Sequence, residues 1–204
     1  LCTSSLYYDA LISAAYLGKA LKKEHKQIKS YQDRAAELYK NIDVYFARNV
    51  EGYDTYRYYD GNTVLRSWIC IPLTMGIYEQ AKGTVEALFS DKLWMENGLL
   101  TQSGTSTYWD RSTLYAFRGA YSCGARDIAT EYLDKYSATR LLGDHVPYAV
   151  EAWPEGNQRH LSTESALYCR IMTEGLFGIR PIALDAFVMT PQLPESWNMM
   201  SLKR

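Results

Sequence analysis

Apolar residues at Leu6, Ala10, Ala14, Leu17 and Leu21 recur every three or four positions, the period of one face of a helix, with Thr3-Ser4-Ser5 offering cap hydroxyls just ahead. After the charged turn Lys22-Lys23-Glu24-His25-Lys26 the same spacing returns at Tyr31, Ala35, Leu38, Ile42 and Tyr45, predicting a second helix that ends near Asn49. Together they make a helical hairpin. A polar-aromatic loop over 51–61 leads to a cap at Asn62 or Thr63 and a third helix from Val64 to Ile77, which Pro72 must break or kink. A fourth runs from Thr84 to Trp94. Gly98, Gly104 and the Ser/Thr run over 101–107 form a second long loop, closed by Tyr108-Trp109-Asp110, where Asp110 reads as the N-cap of a fifth helix.

The fifth helix reaches Ser122, and after the Cys123-Gly124 break a sixth carries Ile128, Ala129, Tyr132, Leu133 and Tyr136. A third long loop spans Gly143 to Arg159. The seventh helix begins near Ser162 and ends at Gly175 or Gly178. From Ile182 the pattern turns to strand and turn, with Ala183, Asp185, Phe187 and Met189 followed by Pro191 and Pro194. The expectation is a mainly α chain, with helical hairpins over 1–180 and a β-rich segment over 181–204. The absence of a fixed-period repeat disfavours a regular solenoid.

Charge removes some function classes. Across 204 residues, 22 Lys and Arg stand against 23 Asp and Glu, a net charge of -1, so no excess of positive charge serves a nucleic acid or an anionic membrane. No apolar run approaches the length of a membrane-spanning helix. Cys2, Cys70, Cys123 and Cys169 are scattered, with no CxxC pair and no His at zinc-ligand spacing; they read as small buried apolar residues, and neither metal nor cofactor is expected. The opening Leu1-Cys2-Thr3 and the close at Arg204, straight after a strand-like stretch, are those expected of a piece of a longer polypeptide. The distinctive feature is 18 Tyr and 5 Trp against 5 Phe, rings with an apolar body and a polar tip.

Many of these rings fall in the three long loops among Asp, Glu and Arg. Such loops suit a pocket for a ligand with apolar C–H faces and many hydroxyls, a sugar; equally, the rings could cap the helix ends of a crowded core. In the third loop Glu151 precedes Trp153, so a carboxylate could stand on a pocket wall as a general base for water, or be an exposed loop glutamate. Glu155, between Pro154 and Gly156, is the rival.

The passage from Glu151-Ala152-Trp153 to His160-Leu161-Ser162, the helix to Gly175-Leu176-Phe177-Gly178-Ile179, and Phe187-Val188-Met189-Thr190-Pro191 onward to Trp197 resemble the last part of the six-hairpin glycosidases, which include α-L-rhamnosidases and glucoamylases. Gly61-Asn62-Thr63-Val64-Leu65-Arg66 through Pro72-Leu73 carry the resemblance further upstream. It implies the C-terminal half of an (α/α)6 toroid entering the first strands of a β-sandwich. It also implies an inverting glycoside hydrolase acting on a sugar from a poly- or oligosaccharide, in a periplasmic or extracellular setting.

By the same resemblance Glu151, in the loop before the last barrel helix, is the general base, and the general acid comes from upstream of Leu1. Trp153 is then a subsite wall and His160 a contact to a sugar hydroxyl. Tyr108, Trp109, Asp110 and Arg111 form a second subsite, with Asp110 equally a helix cap. Asp54, Tyr56 and Arg57 face the same rim, and Arg66 is as readily an ion-pair partner. The implied partners are a carbohydrate and the rest of the polypeptide. A related sugar phosphorylase and a non-catalytic carbohydrate-binding or interaction domain are the alternatives.

Overall fold

The computed structural model describes residues 1–142 and 162–203. Seven α-helices and three two-stranded antiparallel hairpins make up the regular structure of these residues. Helices α1 (Cys2–Ala20) and α2 (His25–Phe46) form the first hairpin. The buried positions of α2, Ile28, Ala35 and Ile42, lie seven apart, so neighbours along this seam are about two turns from one another. Helix α1 packs against α2 and buries Leu11, Ala15 and Gly18. A Cβ on Gly18 would stand 3.1 Å from Ile28 Cγ1, so the smallest side chain lets the two helices close at the tip.

The buried face of α1 is not the one its apolar spacing predicts. Leu6, Leu17 and Leu21 are 49%, 55% and 66% exposed, while Ser5 is fully buried and its hydroxyl donates to the Leu1 carbonyl at 3.1 Å. Small residues win this face because they allow close approach, and Ser5 satisfies its own oxygen. Thr3, Ser4 and Ser5 lie inside the helix and cap nothing.

Residues 51–61 are only partly loop. Strands β1 (Ala47–Val50) and β2 (Tyr53–Tyr56) pair in register Asn49↔Asp54 across Glu51-Gly52, both at positive φ (51° and 98°), the two-residue turn that matches strand twist. The expected third helix shortens to a 3-10 turn over Ser67–Ile69 and α3 (Cys70–Thr74), because Arg66 is extended and bridges to Gln102. Pro72, third in α3, sits where no intrahelical N–H is needed. Likewise α4 (Ala81–Leu88) stops early, and Trp94 belongs to β3 (Trp94–Met95), paired with β4 (Gly98–Leu99).

Helices α5 (Asp110–Ser122), α6 (Arg126–Arg140) and α7 (Ser162–Arg170) fall where their periodicity places them. A π turn over Ile171–Leu176 continues α7, closed by Phe177 N–H donating to Met172 O at 2.9 Å. Beyond it β5 (Ile179–Ala183) and β6 (Ala186–Met189) form a largely exposed hairpin, as the alternation past residue 180 predicts.

Contacts give the helices their directions. Cys70 Sγ reaches Ser112 O, Thr74 Oγ1 reaches Tyr115 O, and Tyr78 meets Ser122, so the chain through α3 runs parallel to α5. Arg111 pairs with Glu164 and Arg118 with Glu174, so α7 runs parallel as well. Helix α6 returns antiparallel, with Asp110 beside Arg140 and Tyr121 beside Thr130. Helix α1 packs on α3, α3 on α5 and α5 on α7, giving a continuous row of parallel helices. Helix α5 is its centre, with nine of its 13 residues buried. Phe89, Trp94, Phe117, Tyr132 and Tyr136 fill the space between α5 and α6 with ring contacts of 4.7–6.0 Å.

Candidate functional site

The starts of α5 and α7, the end of α6 and the loops before α3 and α5 meet at one end of the helix row. Trp109 caps α5 with extended backbone (φ −131°, ψ 103°). Its N–H donates to Leu99 O at 2.9 Å, and its carbonyl accepts from Thr113 N–H, Thr113 Oγ1 and Ser112 Oγ at 3.0, 2.9 and 3.1 Å. That web fixes the indole. Trp68 stands edge-on to it at 5.0 Å between centroids, and Tyr115, one turn into α5, is 6.1 Å from Trp68. The three half-buried rings make a wall. Trp109 Nε1 is buried without a hydrogen-bond partner among the described residues.

Two ion pairs flank the wall. Asp110 Oδ2 accepts from Arg140 Nη2 at 2.9 Å, with both side chains fully buried. Arg111 Nε donates to Glu164 Oε1 at 2.7 Å, with the carboxylate buried and the guanidinium about a third exposed. Tyr136 lies beside the first pair; burial, then the negative charge of Asp110, pushes its phenol well above the usual tyrosine range. Glu51 holds the loops behind the wall, its carboxylate accepting from Leu65 N–H at 2.6 Å and Ser103 Oγ at 3.2 Å. Arg66 lies over the Tyr58 and Tyr59 rings, 5.6 Å from each centroid, and pairs with no carboxylate among the described residues.

The sequence-derived candidates separate into three groups. Tyr108, Trp109, Asp110 and Arg111 come together at this end, although Asp110 makes no side-chain cap and is held by Arg140. Asp54 and Tyr56 do not join them. Tyr56 is buried near Asp43 and Gln80, and Asp54 takes a hydrogen bond from Asn49 at 2.9 Å and packs on Gly83 of α4, so the hairpin turns both away from the wall. Glu151, Trp153, Glu155 and His160 lie outside the described residues. The sequence reading missed Trp68, Tyr115, Glu51 and Glu164. A ring one turn after Trp109 on an otherwise buried helix was a usable signal for Tyr115; the partner of Arg111, 53 residues away, had none.

Chemically, the wall suits the C–H face of a sugar ring. Among the described residues Asp110 and Glu164, beside it, are held by arginines, which suits them to fixing geometry. Among the described residues no three His, Cys, Asp or Glu side chains converge as metal ligands. None of the described helices is long and apolar enough to cross a membrane.

No protein-family model matches the chain, and no curated protein matches it. Solved structures do share its fold. The neutral trehalase Nth1 from Saccharomyces cerevisiae superposes with a TM-score of 0.63 at 18% identity, over 83% of this chain. A sialidase superposes with a TM-score of 0.74 at 17% identity, over 97% of this chain. The match spans 36% of the trehalase chain and 21% of the sialidase chain.

Proposed function

We propose that this chain is part of the catalytic domain of an inverting glycoside hydrolase, with Glu151 as general base. The observation that carries the reading is the Trp68–Trp109–Tyr115 wall at one end of a helix row whose fold is shared with a trehalase. In this reading residues 1–180 are a portion of an (α/α)6 toroid and 181–204 begin a β-rich segment. The remaining hairpins belong to the same polypeptide and supply the general acid. The apolar side chains that α1 leaves exposed support that arrangement, since a neighbouring hairpin would cover them.

In the mechanism Glu151 takes a proton from water as the water attacks the anomeric carbon, and an acid on the opposite side protonates the leaving oxygen. Inverting glycosidases hold their two carboxyl groups roughly 6.5–9.5 Å apart, which leaves room for the water. Trp153 and the described wall hold the sugar face, and His160 and Glu155 contact hydroxyls. Replacing Glu151 by Gln in the full-length chain is expected to lower kcat on the order of 10²- to 10⁴-fold while sugar binding persists. Turnover of aryl glycosides and reducing-sugar release from oligosaccharides measure this, and unchanged turnover rejects the assignment.

A non-catalytic carbohydrate-binding domain is the second reading, favoured by the engagement of both Asp110 and Glu164 with arginines. It predicts sugar binding with no turnover in the unaltered full-length chain.

A further inference from the structure

Arg66 is fixed along its backbone and open at its tip. On one side Leu65 N–H donates to Glu51 at 2.6 Å; on the other Ser67 N–H donates to Thr101 O at 3.2 Å, and Arg66 itself bridges to Gln102. Its guanidinium lies over the faces of Tyr58 and Tyr59, which hold a planar cation without accepting from its N–H groups in the plane. Trp68 of the aromatic wall is two residues further on, a span of chain no longer than about 7 Å. A second link joins them, since Tyr58 hydrogen-bonds Cys2, whose Sγ donates to Trp68 O at 3.6 Å.

The cations around Arg66 are answered. Arg57 pairs with Asp60, Lys92 lies 4.0 Å from Glu51, and Arg111 pairs with Glu164 at 2.7 Å. Arg66 pairs with no carboxylate among the described residues, and its side chain makes no hydrogen bond to them. Its Nε is shut off from solvent without a partner, so the two Nη groups are the ends that meet solvent. A half-buried charged donor left unanswered is costly in a residue that serves packing alone. The open end of this fork matches the two oxygens of a carboxylate.

We propose that Arg66 is a specificity-determining residue: it receives the carboxylate of an acidic sugar, of the hexuronic acid class, while the Trp68–Trp109–Tyr115 wall takes the C–H face of that sugar. A neutral sugar covers the wall equally well but leaves the guanidinium unanswered, so the preference arises from Arg66. The proposal rests on the reading of the wall as a sugar site and is independent of which residue acts as base.

The test is one of binding. Methyl glycosides of glucuronic and galacturonic acid, in both anomers, are titrated calorimetrically into the full-length chain beside those of glucose and galactose. At least one uronide is expected to bind on the order of 10- to 100-fold more tightly than its neutral counterpart, the range of a hydrogen bond between charged groups. Arg66→Met keeps an apolar stem between the tyrosines, and Arg66→Gln keeps a polar tip; both remove the charge, so a variant that fails to fold leaves the other to decide. Each folded variant is expected to bind the uronide no better than the neutral sugar, with the affinity for the neutral sugar unchanged. Equal affinities in the unaltered chain, or a uronide preference that survives in a folded variant, overturn the proposal and leave the sugar reading standing. Failure of all these glycosides to bind overturns the sugar reading of the wall and this proposal together.

Discussion

Tyr121 and Tyr136 show how single residues in this chain divide between packing and chemistry. Burial pushes the Tyr121 phenol up to about 12, against a hydrogen bond to Thr130 that acts in the other direction; burial also drives Tyr136 and Tyr56 upward. Their folded pKa values exceed the unfolded value near 10, so the stability they confer is complete below pH 10 and is lost as pH climbs through the folded values. Following tyrosinate absorbance together with circular dichroism should therefore separate exposed tyrosines, ionising first, from a buried set that ionises only as the helices unfold. One smooth titration with the fold intact would contradict this. Sequence spacing identified Tyr132 and Tyr136 as core because α6 is regular, but it also placed Tyr45 on a seam, and Tyr45 is 48% exposed. Periodicity gives a face, while the neighbour that covers it is set by contacts elsewhere in the chain.

Among the elements, the pairing of α3 with α5 depends on a glycine. A Cβ on Gly119 would stand 2.9 Å from Leu73 Cβ and 3.1 Å from the Cys70 carbonyl, groups that cannot swing aside as the tip of a long side chain can. Gly119→Ala is expected to destabilise the fold by about 1–3 kcal/mol, readable as a lower urea midpoint at unchanged slope. Since the 3-10 turn leading into α3 brings Trp68 to Trp109, the same variant should also loosen the aromatic wall. Helices α2, α5 and α6 were legible in the sequence because each holds an apolar period for three turns or more. The β1–β2 hairpin was not, because its Glu51-Gly52 turn lies within a run of tyrosines and acids that reads equally as loop. The short α3 was overestimated because an apolar stretch beside a proline does not reveal that Arg66 is extended.

Over the whole molecule, the core lies on one side of α1 and apolar surface on the other. Leu6, Tyr7, Ile12, Tyr16, Leu17 and Leu21 are each at least 43% exposed along this helix. The 204-residue chain produced alone is expected to self-associate, and Leu17→Lys with Leu21→Lys to increase its monomer fraction, as light scattering after size exclusion would show. An unchanged mass distribution would mean that this face is not the sticky one. At this scale the mainly α hairpin architecture and the change past residue 180 could be read from pattern alone. The site could be read only in part: Trp109 and Arg111 stood out as loop-end residues, but the partners Arg140 and Glu164 lie 30 and 53 residues away, beyond any spacing rule.

The π turn over Ile171–Leu176 gives that stretch one residue more per turn than a straight α-helix would hold. A relative lacking the surplus residue would match this chain up to Arg170 and then run one position out of step, so that Glu174, Phe177 and the β5–β6 hairpin would seem changed when only the count had slipped. A gap placed within those six residues restores the correspondence, and the bulge thus marks where ancestry in this fold is most easily misread.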